Sequence, residues 1–381
     1  MRERKFALVL PSLQIGGAEK VIVELANGFA ERNIEIDLIV FDIRGPLIKS
    51  LDPRVRVVDL KCSSYRIAVF KLALYFSVSR PSSVLTSMYA TGLVAIIGRL
   101  VSTFKPKIVV GAHNSLLFKS TNADNWKDKY LLLALAKFFF PFADSIVAVS
   151  NGVERELRDL IDVPAARVRT IYNPVIGNKF WQKLAEPRFH EWVDHTIIRT
   201  FKTIVAVGRL VEQKGFDILL HALAETRQQS DIRLIIIGDG PLRRELEEQA
   251  LSLGIGPFVV FLGWLSNPYS HLAHADLFVL SSRWEGLGNV LIEALASGCP
   301  IVATDCNFGP SEILEAGKHG LLVKVGSVVD LSEKISIALE SSTDTEAKKD
   351  ARIVRAKQFT IDIAVERYLS LFSELEDNLV R

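Results

Sequence analysis

Short apolar runs alternate with helical patterns along the whole chain. The runs are rich in Val, Ile and Leu without an in-out alternation, which is typical of strands in parallel sheets covered on both faces. The predicted strands are 6–10, 36–41, 55–59, 84–86, 108–111 and 146–149, followed by 203–208, 233–238, 258–262, 277–280 and 301–303. Because the series restarts near residue 203, the pattern predicts an α/β protein with two doubly wound parallel-sheet domains.

The predicted boundary lies in 174–200, where Pro174, Gly177 and Pro187 interrupt the pattern. A chain of 381 residues is long enough for two cores. We therefore predict a first domain at 1–178 and a second at 179–361. Helical patterns are clearest at 18–30, 127–140 and 361–379.

Composition narrows the class of protein. Hydrophobic residues make up 49% and charged residues 24%, as in soluble globular proteins. Cys62, Cys299 and Cys306 form no Cys-x-x-Cys motif, so we expect neither a disulfide framework nor a metal site. The apolar run at 6–10 is too short for a signal peptide, and no uninterrupted apolar run reaches about 18 residues. A cytoplasmic protein without membrane-spanning helices is expected.

Charge is unevenly distributed although the net charge is only +2. Residues 1–178 carry 24 Lys and Arg against 16 Asp and Glu, a net of +8, and the remainder has a net of −6. Residues 60–143 include 11 basic residues, whereas the acidic residues in this range are only Asp124 and Asp128. Apolar helices interleaved with basic residues favour contact with an anionic membrane surface. The alternative is a set of buried helices with solvated basic ends.

Ligands of open α/β sheets bind beyond the carboxyl ends of the strands, so the loops there are the candidate sites. Gly16 and Gly17 follow the first strand at the start of a helix, where backbone N–H groups could hold a phosphate. A plain strand-to-helix turn is the alternative. Gly208-Arg209 and Lys214 follow the first strand of the second domain and could clamp a diphosphate. Two solvated surface cations would give the same pattern.

The strongest candidate is the loop Arg283-Trp284-Glu285-Gly286-Leu287-Gly288-Asn289, which leads from strand 277–280 into a predicted helix at 290–297. Its N–H groups could hold a phosphate, and the Glu285 carboxylate could bind sugar hydroxyls. Glu293 lies within the apolar run of that helix, so we expect it to be buried and to have a partner.

Two further candidates are weaker. His113 ends a strand of the first domain and could approach a ligand, although a lone histidine is more often structural. Gly238, in Gly238-Asp239-Gly240, follows a strand of the second domain and could line a nucleotide pocket.

At these residues the chain resembles family 4 of the retaining glycosyltransferases, which have the GT-B fold. The matching segments are GGAEKVIVELANGFAERN, ADSIVAVSNGV, VGRLVEQKGFDILLHAL, IIIGDGP, VVFLGW and SSRWEGLGNVLIEALASGCPIVATDCNFGPSEIL. They occur in family order across residues 16–315, and the last is the most specific. Asn173-Pro174 stands where the family commonly has Pro-Asn-Gly, so the chain departs from the pattern there.

The resemblance implies two Rossmann-like domains facing across a cleft, with residues 362–381 packing back on the first domain. It also implies the site roles. Glu285 would contact the donor sugar, Glu293 the ribose hydroxyls, and Arg209 and Lys214 the diphosphate. The remaining donor-site residues would be Gly16, Gly17, His113, Gly208, Gly238, Gly286, Leu287, Gly288 and Asn289, with His113 approaching the sugar.

The expected reaction is therefore transfer of a hexose or N-acetylhexosamine from a nucleotide sugar, with retention of configuration and no metal. Residues 309–314 (GPSEIL) resemble the form found in hexose and hexosamine transferases, which favours a UDP-linked donor. A lipid-linked acceptor at the cytoplasmic face of the inner membrane, in bacterial surface glycan assembly, suits the basic first domain. The alternatives are a nucleotide-sugar hydrolase or epimerase on the same fold, or a non-catalytic binder of anionic lipid or nucleic acid. No recognisable nucleic-acid motif is present.

Overall fold

A computed structural model describes residues 5–117, 126–187, 190–194, 196, 200–340 and 344–377; the side chains of 126–130 are not among those described. The chain forms two compact units, Met1–Val175 with Thr360–Arg381, and Ile176–Phe359. The sequence pattern put the corresponding divisions at 178 and 361.

The first unit is built on a seven-stranded parallel sheet with the order β3-β2-β1-β4-β5-β6-β7. Its strands are β1 (Phe6–Ser12), β2 (Ile36–Asp42), β3 (Arg56–Asp59), β4 (Ser83–Thr86), β5 (Lys107–Ala112), β6 (Ser145–Ala148) and β7 (Val168–Thr170). Its helices are α1 (Gly17–Glu31), α2 (Tyr65–Ser79), α3 (Tyr89–Val101), α4 (Trp126–Phe139), α5 (Asn151–Leu160) and the C-terminal α14 (Ile361–Asp377).

Helix α14 completes the core of the first unit. The ring of Phe372 lies 4.8 Å from that of Phe6 and 6.2 Å from that of Phe29, and all three rings are buried. A Cβ built on Gly28 of α1 would lie 2.6 Å from the Ile361 side chain, so only glycine permits this approach of α1 and α14. The last helix therefore belongs to the first core.

The second unit has a six-stranded parallel sheet with the order β10-β9-β8-β11-β12-β13. Its strands are β8 (Lys202–Val207), β9 (Ile232–Ile237), β10 (Val259–Gly263), β11 (Leu277–Leu280), β12 (Ile301–Thr304) and β13 (Leu321–Val323). Its helices are α6 (Asn178–Leu184), α7 (Phe216–Thr226), α8 (Arg243–Ser252), α9 (Tyr269–His274), α10 (Asn289–Ala296), α11 (Pro310–Ile313), α12 (Val328–Leu339) and α13 (Glu346–Ala356). The predicted fold class, two doubly wound parallel sheets, is confirmed.

Each sheet has one point at which the strand order reverses. In the first unit it lies between β1 and β4, and in the second between β8 and β11. Loops leaving neighbouring strands in opposite directions open a crevice there, which is where doubly wound sheets bind ligands. The loops after β8 and β11 carry Lys214 and Glu285, so the fold brings these two predicted residues to the same edge.

Among the described residues, no helix combines the length and the apolar composition needed to cross a bilayer.

Candidate active site

Lys214 and Glu285 form an ion pair at the reversal point of the second sheet. The Lys214 Nζ lies 2.5 Å from Glu285 Oε1, and both side chains are largely withdrawn from water. Lys214 ends the short turn after β8, and Glu285 lies in the loop after β11. A cation, the group expected to bind a diphosphate, therefore lies beside a carboxylate, the group expected to bind sugar hydroxyls. Both are at the reversal point, where doubly wound sheets bind ligands.

Glu285 is held by more than the lysine. Only 6% of the residue is exposed, and a buried carboxylate needs hydrogen-bond partners to remain charged. The Ser282 hydroxyl donates to the same Oε1 at 2.7 Å, and the Glu285 backbone N–H donates to the Asn307 carbonyl. Ser282 is itself fixed by Thr304, whose hydroxyl donates to the Ser282 carbonyl at 2.6 Å. The carboxylate is thus preorganised before any ligand is bound.

The loops after β8 and β11 are tied together along their length. The Gln213 side-chain amide donates to the Trp284 carbonyl at 2.9 Å, and the Arg283 N–H donates to the Gln213 carbonyl at 2.7 Å. The Arg283 guanidinium donates hydrogen bonds to both carboxylate oxygens of Asp217 on α7, at 2.8 and 2.6 Å. Although burial raises the pKa of Asp217, the hydrogen bonds and charge of Arg283 outweigh it and hold that pKa below its usual value. The two loops therefore form one hydrogen-bonded support for the ion pair.

Glycines allow this close approach. Gly215 has φ +61°, and a Cβ there would lie 2.2 Å from the Ser281 carbonyl oxygen. Gly238 has φ +142°, and its Cβ would lie 1.9 Å from the carbonyl oxygen of Gly208. Side chains at either position would push the loops apart. Gly208 and Gly238, both predicted donor-site residues, are therefore in direct backbone contact after β8 and β9.

The glycine-rich loop 286–289 leads directly into α10, which begins at Asn289. Gly288 has φ +96°, and Leu287 is buried. Gly309, with φ +102°, packs so closely that its Cβ would lie 1.8 Å from the Leu287 carbonyl oxygen. The start of α10 and its loop present backbone N–H groups beside Glu285, an arrangement that favours an anion.

Glu293 lies on α10 and is 6% exposed. The Tyr269 hydroxyl of α9 donates to Glu293 Oε1 at 3.3 Å, and the Tyr269 ring lies 4.6 Å from that of Phe180 on α6. The burial and the polar partner expected from the apolar helix sequence are both present. A hydrogen bond from Tyr269, whose ring packs on Phe180, therefore helps to position the Glu293 carboxylate.

The other predicted cation has a different environment. Arg209 follows Gly208 directly and is exposed, whereas Lys214 is largely buried against Glu285. Lys214 is a fixed charge, and Arg209 has the freedom to reach a ligand.

Cys306 lies close to this charged pair. Its burial, with the neighbouring charge of Glu285, raises the pKa of the thiol to about 12. The thiol is protonated at neutral pH, so it is a poor nucleophile despite its position.

In the first unit, the predicted residues follow β1 and β5. Gly16 precedes α1, and a Cβ there would lie 2.1 Å from the Glu19 carboxylate, while Gly17 is exposed at the start of the helix. Burial lowers the pKa of His113 to about 4, and a hydrogen bond with Asn173 opposes this only in part. His113 is therefore neutral at pH 7, and its Nδ1 has no hydrogen-bond partner among the described residues.

The residues that support the ion pair were not predicted from the sequence. Ser282, Gln213 and Tyr269 carry no motif by themselves, and the bond between Arg283 and Asp217 joins positions far apart in the chain. The available signal was indirect: Arg283 begins the predicted loop 283–289, and Asp217 lies three residues after Lys214.

Residues 191–358 match the model of the family described as glycosyl transferases group 1, and residues 15–176 match that of glycosyltransferase family 4. The chain belongs to these glycosyltransferases. Its two parallel-sheet units are those of the GT-B fold, so the family and fold implied by the sequence motifs are confirmed.

Two relatives show how the family members differ. One, from Campylobacter jejuni, is an N-acetylgalactosamine-N,N'-diacetylbacillosaminyl-diphospho-undecaprenol 4-alpha-N-acetylgalactosaminyltransferase; it is 27% identical over 93% of this chain and 96% of its own. Another, the N-acetyl-alpha-D-glucosaminyl L-malate synthase of Bacillus anthracis, is 24% identical over 95% and 94%. Family members of this similarity therefore act on quite different acceptors.

Among solved structures, HepE from Anabaena in complex with UDP and glucose superposes with a TM-score of 0.80 at 20% identity, covering 97% of this chain and 100% of that one. The lipopolysaccharide outer core galactosyltransferase WaaB gives a TM-score of 0.72 at 20% identity, over 97% and 99%. At 20% identity, the similarity to these two structures is evidence for a shared fold alone.

Proposed function

We propose that the protein transfers a hexose or N-acetylhexosamine from a UDP-linked donor to a lipid-linked glycan, with retention of configuration. The observation that carries the proposal is the ion pair of Lys214 and Glu285 at the reversal point between β8 and β11. It lies beside a glycine-rich loop and the N-terminus of α10, so a fixed cation, backbone N–H groups and a carboxylate surround one position.

The chemistry follows from where charge develops. Breaking the anomeric C–O bond leaves positive charge on the sugar and negative charge on the departing diphosphate. Lys214, Arg209 and the N–H groups of 286–289 stabilise the diphosphate, and preorganised groups of this kind need no reorganisation during the reaction. In the proposed mechanism these groups suffice without a metal ion. Glu285 binds sugar hydroxyls and favours the positive charge at the reacting centre.

The remaining groups orient the donor. Glu293, held by Tyr269, accepts hydrogen bonds from the ribose hydroxyls. In the first unit, Gly16 and Gly17 offer backbone N–H groups to the diphosphate. His113, which follows β5 and has a neutral imidazole at pH 7, approaches the donor sugar in this proposal. The acceptor attacks from the side of the leaving group, which retains the anomeric configuration.

Two observations support the proposal of a UDP-linked donor. Residues 309–314 resemble the form found in hexose and hexosamine transferases of the family. The structure of HepE in complex with UDP-glucose superposes on this chain with a TM-score of 0.80, so the two share a fold. The loop that contains Gly309 packs against Leu287, so it lies where it can contact the diphosphate and sugar of the donor.

The acceptor is proposed from relatives and charge. The Campylobacter relative is named for a diphospho-undecaprenol-linked acceptor, and a Rhizobium meliloti relative, 33% identical over 45% of this chain, for lipopolysaccharide core biosynthesis. A membrane-borne acceptor in bacterial surface glycan assembly agrees with the composition of residues 60–143, which include 11 basic and two acidic residues. We propose that the enzyme works at the cytoplasmic face of the inner membrane.

A panel of nucleotide sugars tests the donor. A ligand that binds only the folded chain raises its stability by about 2.7 kcal/mol at 100 times its Kd. We expect UDP-hexose or UDP-N-acetylhexosamine to raise the Tm more than any GDP-linked sugar does. Selective stabilisation by a guanosine-linked sugar would overturn the assignment.

A further inference from the structure

Helix α2 is apolar on both faces, and only one face is covered. Its inner side is buried on the sheet and on α3 through Ala68, Leu72, Ala73, Tyr75 and Phe76. Ile67, Phe70, Leu74 and Val78 follow one another at helical spacing on the other side, and they are 49%, 69%, 66% and 74% exposed. A helix that is apolar all round is normally buried, in a protein core or in lipid. We call these four residues the outer stripe.

The orientation of α2 is fixed by polar anchors. The Tyr75 hydroxyl donates to the buried carboxylate of Asp37 at 2.5 Å, and Lys5 lies 3.2 Å from the same carboxylate. The Lys71 ammonium donates to the Leu60 carbonyl at 2.6 Å. Rotating the helix to hide the outer stripe would leave Asp37 with fewer partners in the core, which is unfavourable. The stripe is therefore held outward by the fold.

Apolar surface continues beside the outer stripe. The ends of α2 and α3 are joined where the Ser77 and Ser102 hydroxyls lie 3.0 Å apart. Leu100 and Val101, at that end of α3, are 50% and 58% exposed. Phe138 of α4, which packs on α3, is also exposed. Exposed apolar surface that spans neighbouring helices marks an interaction site more often than scattered single residues do.

The charge around the outer stripe identifies its occupant. Residues 60–123 contain eight Lys and Arg and no Asp or Glu. Arg66 and Arg80 lie at the two ends of α2, and both are exposed. A second copy of the chain would bring two faces of the same charge together, which disfavours self-association. An anionic bilayer offers apolar depth together with opposite charge.

We infer that α2 lies in the plane of an anionic phospholipid surface, with Phe70 and Leu74 inserted among the acyl chains and Arg66 and Arg80 at the headgroups. The inference rests on the proposed function in one respect, that the acceptor is membrane-borne, and it adds which element binds the membrane. The attachment has two components. Attraction between exposed charges weakens with salt, whereas burial of the outer stripe does not.

Vesicle co-sedimentation tests the inference with the full chain. The probes are phosphatidylcholine vesicles with and without phosphatidylglycerol, at about 0.1 M and about 1 M NaCl, where the Debye length is about 10 and 3 Å. The test variant is Phe70→Ser/Leu74→Ser. The matched control is Leu251→Ser/Val329→Ser, which removes side chains that are 70% and 59% exposed in the second unit. Because all four side chains are exposed, both variants are expected to keep the wild-type Tm and the wild-type affinity for UDP-sugar.

We expect the wild type to bind phosphatidylglycerol vesicles at both salt concentrations, more weakly at the higher one. Phe70→Ser/Leu74→Ser should lower the partition coefficient at least about tenfold at both, since two large apolar side chains no longer leave water. The control should bind like the wild type. Wild-type binding by the test variant, or an equal loss in the control, would overturn the inference.

Two outcomes separate this inference from the proposed function. If the wild type binds no vesicles yet transfers sugar to a detergent-solubilised acceptor, the membrane role of α2 is wrong and the transferase stands. If the wild type forms dimers that Phe70→Ser/Leu74→Ser dissociates, a second copy occupies the stripe and the inference is wrong.

Discussion

The Nζ of Lys214 lies 2.5 Å from Oε1 of Glu285, and this contact joins the loops that leave two neighbouring strands at the reversal point of the second sheet. The lysine balances a carboxylate for which, within the part of the chain that the structure describes, Ser282 is the other side-chain donor. In the proposed function, a bound diphosphate shares the same ammonium. The pair thus keeps both charges in place before the donor arrives, which lowers the cost of ordering them on binding.

Removing each cation should distinguish their roles. Lys214→Ala and Arg209→Ala should each weaken binding of UDP more than binding of uridine, because only UDP carries the diphosphate. Lys214→Ala should also lower the free energy of unfolding by about 1–3 kcal/mol, since it leaves Glu285 short of a partner, whereas Arg209→Ala should not. Calorimetric titration and urea unfolding check both statements. Arg244→Ala, at an arginine whose side chain is 90% exposed, is the control. Equal losses for UDP and uridine would place the cations away from the diphosphate.

Gly309 should be required by the glycine-rich loop. A methyl group there would lie 1.8 Å from the Leu287 carbonyl oxygen at φ +102°. Gly309→Ala should lower the free energy of unfolding by more than about 2 kcal/mol and weaken donor binding, because the 286–289 loop must move.

Gly326→Ala is the matched control for Gly309→Ala, since Gly326 has φ +78° but no atom within 4 Å of an added Cβ. It should cost only about 1 kcal/mol and leave donor binding unchanged. Equal effects of the two substitutions would show that backbone strain alone matters and that the contact with Leu287 does not.

The free energy of unfolding should decrease as the pH is lowered, and His113 should contribute to that decrease. Its pKa is lowered to about 4 in the folded chain, whereas the unfolded chain has the ordinary value of about 6.5. Protons therefore bind the unfolded chain first, so the contribution of His113 is complete above about pH 6.5 and is lost as the pH falls toward 4. Urea unfolding at pH 7 and about pH 4.5 should show a loss in the wild type that is smaller, by up to about 3 kcal/mol, in His113→Gln. The same loss in both proteins would contradict the shifted pKa.

The strands were the most predictable elements. The predicted strand at 277–280 coincides with β11 (Leu277–Leu280), because its four apolar residues are buried on both faces. β7 (Val168–Thr170) and β13 (Leu321–Val323) were not predicted. Each has three residues and lies at an edge of its sheet, so neither needs the long apolar run that identifies a central strand.

At the candidate site, the sequence predicted the burial of Glu293 but not its partner. A carboxylate within an apolar helix must find a donor, and nothing in the local pattern indicates that the donor is Tyr269. The pairing of Lys214 with Glu285 likewise depends on β8 and β11 being neighbours, which hydrophobic patterns do not establish. The roles of these residues toward a donor stay predictions.

The electrostatic part of membrane binding can be tested at α4. Reversing Lys127, Lys129 and Lys137 to Glu should lower binding to anionic vesicles at low salt while donor binding stays unchanged, because these residues lie outside every donor motif. Lys137 is exposed, and the side chains of the other two lie outside those that the structure describes. Each basic residue near an anionic surface contributes about 1 kcal/mol, so the effect should exceed tenfold. Equal wild-type binding to neutral and anionic vesicles would remove the electrostatic argument.

Sugar transfer by the wild type and Glu285→Gln tests the central claim most directly. The assay offers UDP-hexose or UDP-N-acetylhexosamine with a polyprenyl-diphosphate-linked glycan, and it separates elongated glycan, free sugar and epimerised donor. The control is Glu248→Gln, at a glutamate whose side chain is 61% exposed. We predict elongated glycan from the wild type and the control, and at least about tenfold less from Glu285→Gln with its fold intact by circular dichroism, a loss of at least about 1.4 kcal/mol of transition-state stabilisation. Release of free sugar or an epimer as the main product, or a fully active and folded Glu285→Gln, would contradict the account.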